Sequence, residues 1–121
     1  MMPSQDRRHL RVTVVKDVAV VGFTAPEAVF QTREVQELDD ELLRLVVEEG
    51  QSRLLLNLGG IRYLSSSMLV RLINLKKRAE ELKGQLKLCC LTPVMRDTFR
   101  VSKLDHLFEI FDDESTALEH F

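Results

Sequence analysis

The sequence has few residues that could hold a metal ion or form a disulfide framework. Its only cysteines, Cys89 and Cys90, are adjacent in a predicted strand, where neighbouring side chains point to opposite faces, so we expect no disulfide. The three histidines, His9, His106 and His120, are scattered along the chain and follow no metal-ligand spacing. We interpret the cysteines as small buried hydrophobic side chains and expect no metal or other cofactor.

Long apolar runs and an excess of one charge are also missing. No uninterrupted apolar stretch approaches membrane-spanning length, and the first residues have no apolar segment after their charges. Charged residues make up 30% of the chain but nearly balance at a formal net charge of −2. The sequence therefore has no basic field for a phosphate backbone. These absences predict a cytoplasmic protein that contacts neither a membrane nor nucleic acid directly.

The size and apolar content of the chain are those of one domain. A chain of 121 residues with 45% hydrophobic residues can bury a single core. Residues 1–8 are polar and have nothing to bury, so we expect a flexible N-terminus followed by a domain over residues 9–121.

The domain is predicted to begin with a β-hairpin. Two runs rich in β-branched residues, 10–15 and 18–23, are separated by only Lys16 and Asp17. A two-residue connection between such runs is typical of a hairpin. Residues 24–31 contain a proline and show no clean period, which predicts a surface loop.

A first helix is predicted after this loop. Thr32 is a plausible N-cap, and Gly50 is a typical residue to end the helix. Between them, apolar residues recur at helical spacing, namely Val35, Leu38, Leu42, Leu45 and Val46. The remaining positions are largely acidic, which we interpret as a solvated outer face.

The middle of the chain predicts a strand, a helix and a second strand. Residues 54–58 are almost continuously apolar, as in a central strand buried on both faces. Apolar residues at steps of four and three then predict a helix that Gly84 ends; they are Met68, Leu72, Leu75, Ala79 and Leu82. Residues 86–91 form the next predicted strand, and the unit should be parallel and right-handed.

The last part predicts a short helix, a strand and a final helical turn. Thr92 as N-cap and Pro93 at the first helical position open the helix. We expect its apolar residues to face inward, namely Val94, Met95, Phe99 and Val101. Residues 107–111 alternate like a strand, and a helical turn follows before Phe121. The predicted fold is α/β, with a mixed, mostly parallel sheet and helices packed on it.

Three serines, Ser65, Ser66 and Ser67, occupy the junction between the central strand and the following helix. A nucleophile elbow needs glycines two residues on either side of the serine, but Leu64 and Met68 flank Ser66. The nearby glycine pair also lacks the lysine and hydroxyl residue of a phosphate-binding loop. We therefore expect no catalytic activity. One serine can cap the helix, and an exposed one can be phosphorylated without loss of the fold.

The segment from Tyr63 to Val70 resembles the STAS domains of bacterial anti-sigma factor antagonists. In that family the central strand is followed by Asp-Ser-Ser-Gly-Leu-Gly, and the first serine is the phosphoacceptor. Ser66 matches the phosphoacceptor, Ser67 the second serine and Leu69 the leucine. The other three positions depart from the motif, with Ser65 in place of aspartate and with Met68 and Val70 in place of the two glycines. In element order the resemblance covers residues 10–121.

The resemblance implies a switch protein without catalysis of its own. Such antagonists bind an anti-sigma factor that is also a serine kinase, and a PP2C-type phosphatase reverses the phosphorylation. It implies phosphorylation of Ser66 and a partner-binding surface made of Tyr63, Ser65, Ser66, Ser67, Met68 and Leu69. The alternative is a STAS scaffold or sensor module that is not phosphorylated and binds a protein or a small ligand, which the three departures favour.

Overall fold

The computed structural model describes residues 9–24 and 32–121, with only the backbone for 32–34. The expected flexible N-terminus and nearly all of the predicted surface loop lie outside these residues. The elements are β1 (Leu10–Val15), β2 (Val18–Phe23), α1 (Thr32–Val47), β3 (Arg53–Asn57), α2 (Ser66–Glu81), β4 (Gln85–Cys89), α3 (Pro93–Val101), a 3₁₀ turn (Leu104–His106), β5 (Glu109–Phe111) and α4 (Glu114–Leu118).

The five strands form one mixed sheet in the order β1-β2-β3-β4-β5. Only β1 and β2 are antiparallel, and each later strand is parallel to its neighbour. Lys16 and Asp17 join the antiparallel pair with φ angles of 50° and 69°, the left-handed conformation of a type I′ turn. The predicted hairpin and the mostly parallel α/β fold are confirmed.

The sheet is covered on both faces because alternate side chains of its central strands enter two separate apolar clusters. The larger cluster contains Leu54 and Leu56 of β3 together with the apolar stripes of α1, α2 and α3. The smaller cluster contains Leu55 of β3 and Ala117 of α4. This two-sided burial explains why the three central residues of β3, Leu54–Leu56, are all apolar.

Each of the two long helices is followed by a residue in the left-handed conformation, but the two residues differ. After α1 this residue is Gly50, with φ of 74°, as the sequence predicts. After α2 it is Lys83, with φ of 66°, rather than the predicted Gly84. The N–H of Lys83 donates to the Glu80 carbonyl at 2.9 Å, and the N–H of Gly84 donates to the Ala79 carbonyl at 2.7 Å.

Gly84 has a different role, because it packs against the chain that enters β3. A Cβ atom added at Gly84 would lie 1.9 Å from the carbonyl oxygen of Ser52. The N–H of Gln85 donates to that same oxygen at 2.9 Å. A side chain at position 84 would therefore force these two backbone segments apart.

Helix α3 places only two of its four apolar side chains in the core. Met95 and Phe99, four positions apart, are fully buried. Val94 and Val101 are 58% and 73% exposed, so the expectation that they face inward is wrong. One and two helical positions away from the Met95–Phe99 stripe, they lie roughly 100° and 200° around the helix from it.

The last strand is shorter than the alternation over 107–111 predicts, because the first two residues of that segment bond back to the 3₁₀ turn before it. The N–H groups of Leu107 and Phe108 both donate to the Leu104 carbonyl, at 2.9 and 3.2 Å, and not to the sheet. Phe108 is buried and packs edge-on against Phe99, with ring centroids 5.8 Å apart. Only the three residues of β5 remain to pair with β4.

Candidate functional site

The connection between β3 and α2 is fixed at its base by hydrogen bonds to β4 and α4. The N–H of Leu58 donates to the carbonyl of Cys89 at 3.0 Å. The side chain of Asn57 accepts the N–H of Gly59 at 2.8 Å and donates to Glu114 at 2.6 Å. These bonds hold the beginning of the loop against the sheet.

The middle of this loop is anchored in the core at two positions, and the two residues between them are exposed. Ile61 and Leu64 are buried, whereas Arg62 and Tyr63 are exposed. The hydroxyl of Thr92, at the start of α3, donates to the Ile61 carbonyl at 3.2 Å. The strand-to-helix connections before α2 and α3 are therefore joined directly, and they lie at the carboxyl end of parallel strands.

Ser65 is the N-cap of α2. Its backbone is extended, with φ of −71° and ψ of 161°, and its hydroxyl accepts the N–H of Met68 at 3.1 Å. This bond satisfies one of the N–H groups that a helix start leaves without a partner, which is worth about 1 kcal/mol. Serine thus performs here the capping role that aspartate can also perform.

Ser66 and Ser67 are exposed in the first turn of α2, yet their surroundings differ. The Ser67 hydroxyl accepts a long hydrogen bond from Nε of Arg71 at 3.4 Å. The guanidinium of Arg71 is held by Asp39 of α1, with Nη1 and Oδ2 2.8 Å apart. Within the described part of the chain, the Ser66 hydroxyl makes no hydrogen bond. The three serines therefore differ in their contacts. Ser65 caps the helix, Ser67 contacts Arg71, and the Ser66 hydroxyl has no partner among the described residues.

Of the six residues predicted to bind a partner, three are exposed, two are half-buried and one is buried. Tyr63 is 59% exposed, and Leu69 is half-buried against the core. Met68 is 1% exposed, so its side chain is not available to a partner. As the third residue after the cap, Met68 turns toward the sheet, where it continues the buried stripe of α2.

Two exposed apolar residues that belong to the same end of the sheet were not in the predicted set. Val70 of α2 is 55% exposed, and Val94 of α3 is 58% exposed. The sequence carried a signal for Val70, which replaces a glycine of the motif. For Val94 the signal was its position beside Met95, one step off the buried stripe of its helix.

The electrostatics of the α2 start are compatible with an added negative charge. The first turn of α2 contains no acidic residue. Its free N–H groups and the helix dipole favour negative charge at this position by about 0.3–1 kcal/mol. A phosphate on Ser66 would therefore not be opposed by the helix that carries it.

The two cysteines do not lie on opposite faces of a strand, which corrects the sequence-based expectation. Cys89 is the last residue of β4, and Cys90 follows it with φ of 66°, in the left-handed conformation. This turn brings the two Sγ atoms to 3.6 Å from each other. Burial raises the pKa of the Cys89 thiol well above its usual range, and the neighbouring Cys90 raises it further.

Other candidate chemistry is not assembled in the part of the chain that the structure describes. Over residues 9–24 and 32–121, no group of three or more histidine, cysteine or acidic side chains could hold a metal ion. His9 contacts Glu37, His120 contacts the Thr116 carbonyl, and neither contact involves a serine. Among the helices of these residues, none is both long and apolar enough to cross a bilayer.

Solved structures share this fold over nearly the whole chain. The anti-sigma-factor antagonist (STAS) domain protein of Planctomyces limnophilus matches with a TM-score of 0.78 and 23% identity, covering 92% of this chain and 96% of that one. SpoIIAA of Bacillus, in its phosphorylated form, matches with a TM-score of 0.66 and 16% identity, covering 92% and 97%. At these identities the likeness shows a common fold.

Sequence comparison assigns the family. The chain is 28% identical over 95 residues to BtrV of Bordetella bronchiseptica, a candidate anti-sigma factor antagonist, covering 78% of this chain and 81% of that protein. The family model of the STAS domain matches residues 10–117. That match spans every strand and nearly all of α4, the last helix. The chain therefore belongs to the STAS domain family.

Proposed function

We propose that this chain is an anti-sigma factor antagonist that phosphorylation of Ser66 switches off. In its unphosphorylated form it binds an anti-sigma factor that is also a serine kinase, and thereby frees a sigma factor for transcription. The similarity to BtrV, a candidate antagonist, supports this assignment. The shared fold with SpoIIAA, an anti-sigma factor antagonist known in phosphorylated and unphosphorylated forms, supports the switch.

The observation that carries the proposal is that the three serines make different contacts. Ser65 already caps α2, and Ser67 lies beside Arg71, so the fold makes no use of the Ser66 hydroxyl among the described residues. A phosphate on Ser66 would add roughly −1.5 to −2 charges at a position that the helix dipole favours. The change would fall on the surface that a partner reads and not on the core.

In this proposal the protein performs no catalytic step. The kinase transfers a phosphoryl group to the Ser66 hydroxyl, and a PP2C-type phosphatase removes it by hydrolysis. The contacts of His9 and His120 with residues other than serines support a passive hydroxyl, because neither histidine is placed as its base. The predicted contact surface consists of Tyr63, Leu69 and the three serines, and we add Val94 because it is exposed at the same end of the sheet.

The test is a set of binding measurements against each anti-sigma factor kinase encoded by the source genome. We expect Ser66→Ala to bind as the parent protein does, and Ser66→Asp to bind at least about tenfold more weakly, a loss of about 1.4 kcal/mol. Ser115→Asp is the matched control, since it adds the same charge in the exposed first turn of α4, outside the predicted contact surface, and it should bind as the parent protein does. Equal binding by Ser66→Ala and Ser66→Asp would contradict the proposal.

A STAS sensor module that is not phosphorylated is the second candidate, and one feature of the surface favours it. A groove of about 420 Å³ runs between α1 and α2 beside the serines; its lining residues are Asp39, Leu43, Ser67, Val70, Arg71 and Asn74. Val70 replaces a motif glycine and contributes an apolar wall to this groove. Incorporation of phosphate at Ser66 by a cognate kinase would count against this candidate.

A further inference from the structure

Cys89 and Cys90 form a pair of thiols that the fold holds in one orientation. In a regular strand their side chains would point to opposite faces. The left-handed φ of 66° at Cys90 turns its side chain toward that of Cys89, so that the Sγ atoms are 3.6 Å apart. The N–H of Cys90 donates to the Phe111 carbonyl at 3.1 Å, and the carbonyl of Cys89 accepts the N–H of Leu58 at 3.0 Å. Two neighbouring segments therefore hold the backbone of the pair.

The sulfur separation matches a bridging atom better than a direct bond. Two thiolates that bind one zinc ion at about 2.3 Å in tetrahedral geometry are ~3.8 Å apart, close to the observed separation. A disulfide instead needs sulfurs about 2.05 Å apart and Cα atoms usually ~4.4–6.8 Å apart. Cα atoms of adjacent residues are only about 3.8 Å apart, so a bond between Cys89 and Cys90 would be strained.

The number of ligands then decides which kind of atom can bridge the pair. Zinc in a structural site takes four protein ligands. Among residues 9–24 and 32–121, no third histidine, cysteine or acidic side chain completes such a set. Thiolate sulfur prefers soft centres. One soft centre that needs only two protein sulfurs is a trivalent arsenic atom that carries one carbon substituent.

We propose that Cys89 and Cys90 form a two-sulfur binding site for monosubstituted trivalent arsenicals. An arsenical of the form R–As=O reacts with both thiols, two As–S bonds form, and the arsenic–oxygen bond breaks. The oxygen leaves as water with the two thiol protons, so that no oxidant or reductant takes part. The reaction consumes neutral thiols, the form that burial favours for Cys89.

The site is partly open to solvent and lies at the base of the connection between β3 and α2. Cys89 is fully buried, whereas Cys90 is half-buried, so we expect an arsenical to react first with the sulfur of Cys90. Gly59, the second residue after β3, packs against Cys90: a Cβ atom at position 59 would lie 3.7 Å from that of Cys90. A bound arsenical would therefore contact the base of the loop that carries Ser65, Ser66 and Ser67.

The test uses phenylarsine oxide and the folded protein, with intact mass as the first readout. We expect one adduct per chain that survives excess glutathione, a monothiol, and that 2,3-dimercaptopropanol, a dithiol, removes. Cys90→Ser and Cys89→Ala should each lose the glutathione-resistant adduct. No adduct on the parent protein, or a resistant adduct on either single-cysteine variant, would overturn the proposal.

A second readout asks whether the folded chain holds the pair ready, because any two adjacent cysteines can also bind in an unfolded chain. A ligand that prefers the native state raises the midpoint of thermal unfolding, and one that prefers the unfolded chain lowers it. We expect phenylarsine oxide to raise the midpoint of the parent protein and to leave that of Cys90→Ser unchanged. A lower midpoint for the parent protein would contradict a site built by the fold.

Discussion

Helices α2 and α3 begin alike, but only one of them carries hydroxyls that the fold does not need. Ser65 accepts the N–H of Met68 at 3.1 Å, and Thr92 accepts the N–H of Met95 at 3.2 Å. In both helices the methionine, three residues after the cap, is buried in the same core. The two helix starts are thus equivalent in capping and packing.

The residues that follow each cap make the difference. After Thr92 comes Pro93, whose ring fixes the backbone for a first helical residue and leaves no N–H to satisfy. After Ser65 come two exposed serines. The start of α3 shows that one hydroxyl is enough to begin a helix at this end of the sheet. The additional serines at α2 are therefore available for recognition.

The largest expected loss of stability comes from truncating the buried methionine at either helix start, and it tests whether the two methionines pack equally well. Met68→Ala and Met95→Ala should each lower the free energy of unfolding by about 2–5 kcal/mol, because each leaves a cavity in the core. Urea unfolding followed by circular dichroism measures this. A loss below about 0.5 kcal/mol for Met68→Ala, as at a surface site, would mean that its side chain is not in the core.

The loss of unfolding free energy should differ more between the two cap variants than between the two methionine variants. Ser65→Ala removes one hydrogen bond and should cost about 1 kcal/mol. Thr92→Ala also removes the bond to the Ile61 carbonyl, which adds about 1 kcal/mol. The same unfolding experiment compares them, with Thr116→Ala in α4 as an exposed control. Equal losses would show that the bond between the two loops contributes nothing.

Replacing the cap by the motif residue sharpens the comparison. Ser65→Asp keeps an oxygen that can accept the Met68 N–H and adds a negative charge at the helix start, so it should stabilise the protein by about 0.3–1 kcal/mol. If the kinase reads the aspartate of the motif, the variant should also be phosphorylated faster than the parent protein. The initial rate of phosphate incorporation measures this. Equal rates would show that the kinase does not read position 65.

The smallest effect on stability is expected at Ser66. Ser66→Ala should change the free energy of unfolding by less than about 0.5 kcal/mol, because its side chain is exposed and makes no hydrogen bond within the described residues. Ser67→Ala should behave similarly, since its contact with Arg71 is long and exposed. A loss above about 1 kcal/mol for Ser66→Ala would show that Ser66 stabilises the fold as much as a helix cap does.

The features that the sequence predicted correctly are those that local chemistry determines. Thr92 followed by Pro93 indicated a helix start by itself, and the structure confirms both the cap and the position of Pro93. The nearly continuous apolar run over 54–58 indicated a strand buried on both faces, because consecutive leucines on a strand point to opposite faces and each needs an apolar neighbour.

The features that the sequence did not reveal depend on contacts between distant segments. Lys83, not Gly84, takes the left-handed position after α2, because Gly84 is needed where the chain passes Ser52. The turn at Cys90 likewise depends on its bond to Phe111 in β5. At the site, the family motif pointed to Ser66, but only the three-dimensional structure distinguishes its surroundings from those of Ser67.

The most direct test of the central claim is phosphosite mapping of the protein purified from its native host, beside a Ser66→Ala variant. We predict a single added phosphate that maps to Ser66 in the parent protein and is absent from the variant. Ser67 serves as the internal control, because its side chain is also exposed and lies one residue away. A phosphate on Ser67 that persists in Ser66→Ala, or no phosphate under any growth condition, would contradict the claim that Ser66 is the switch.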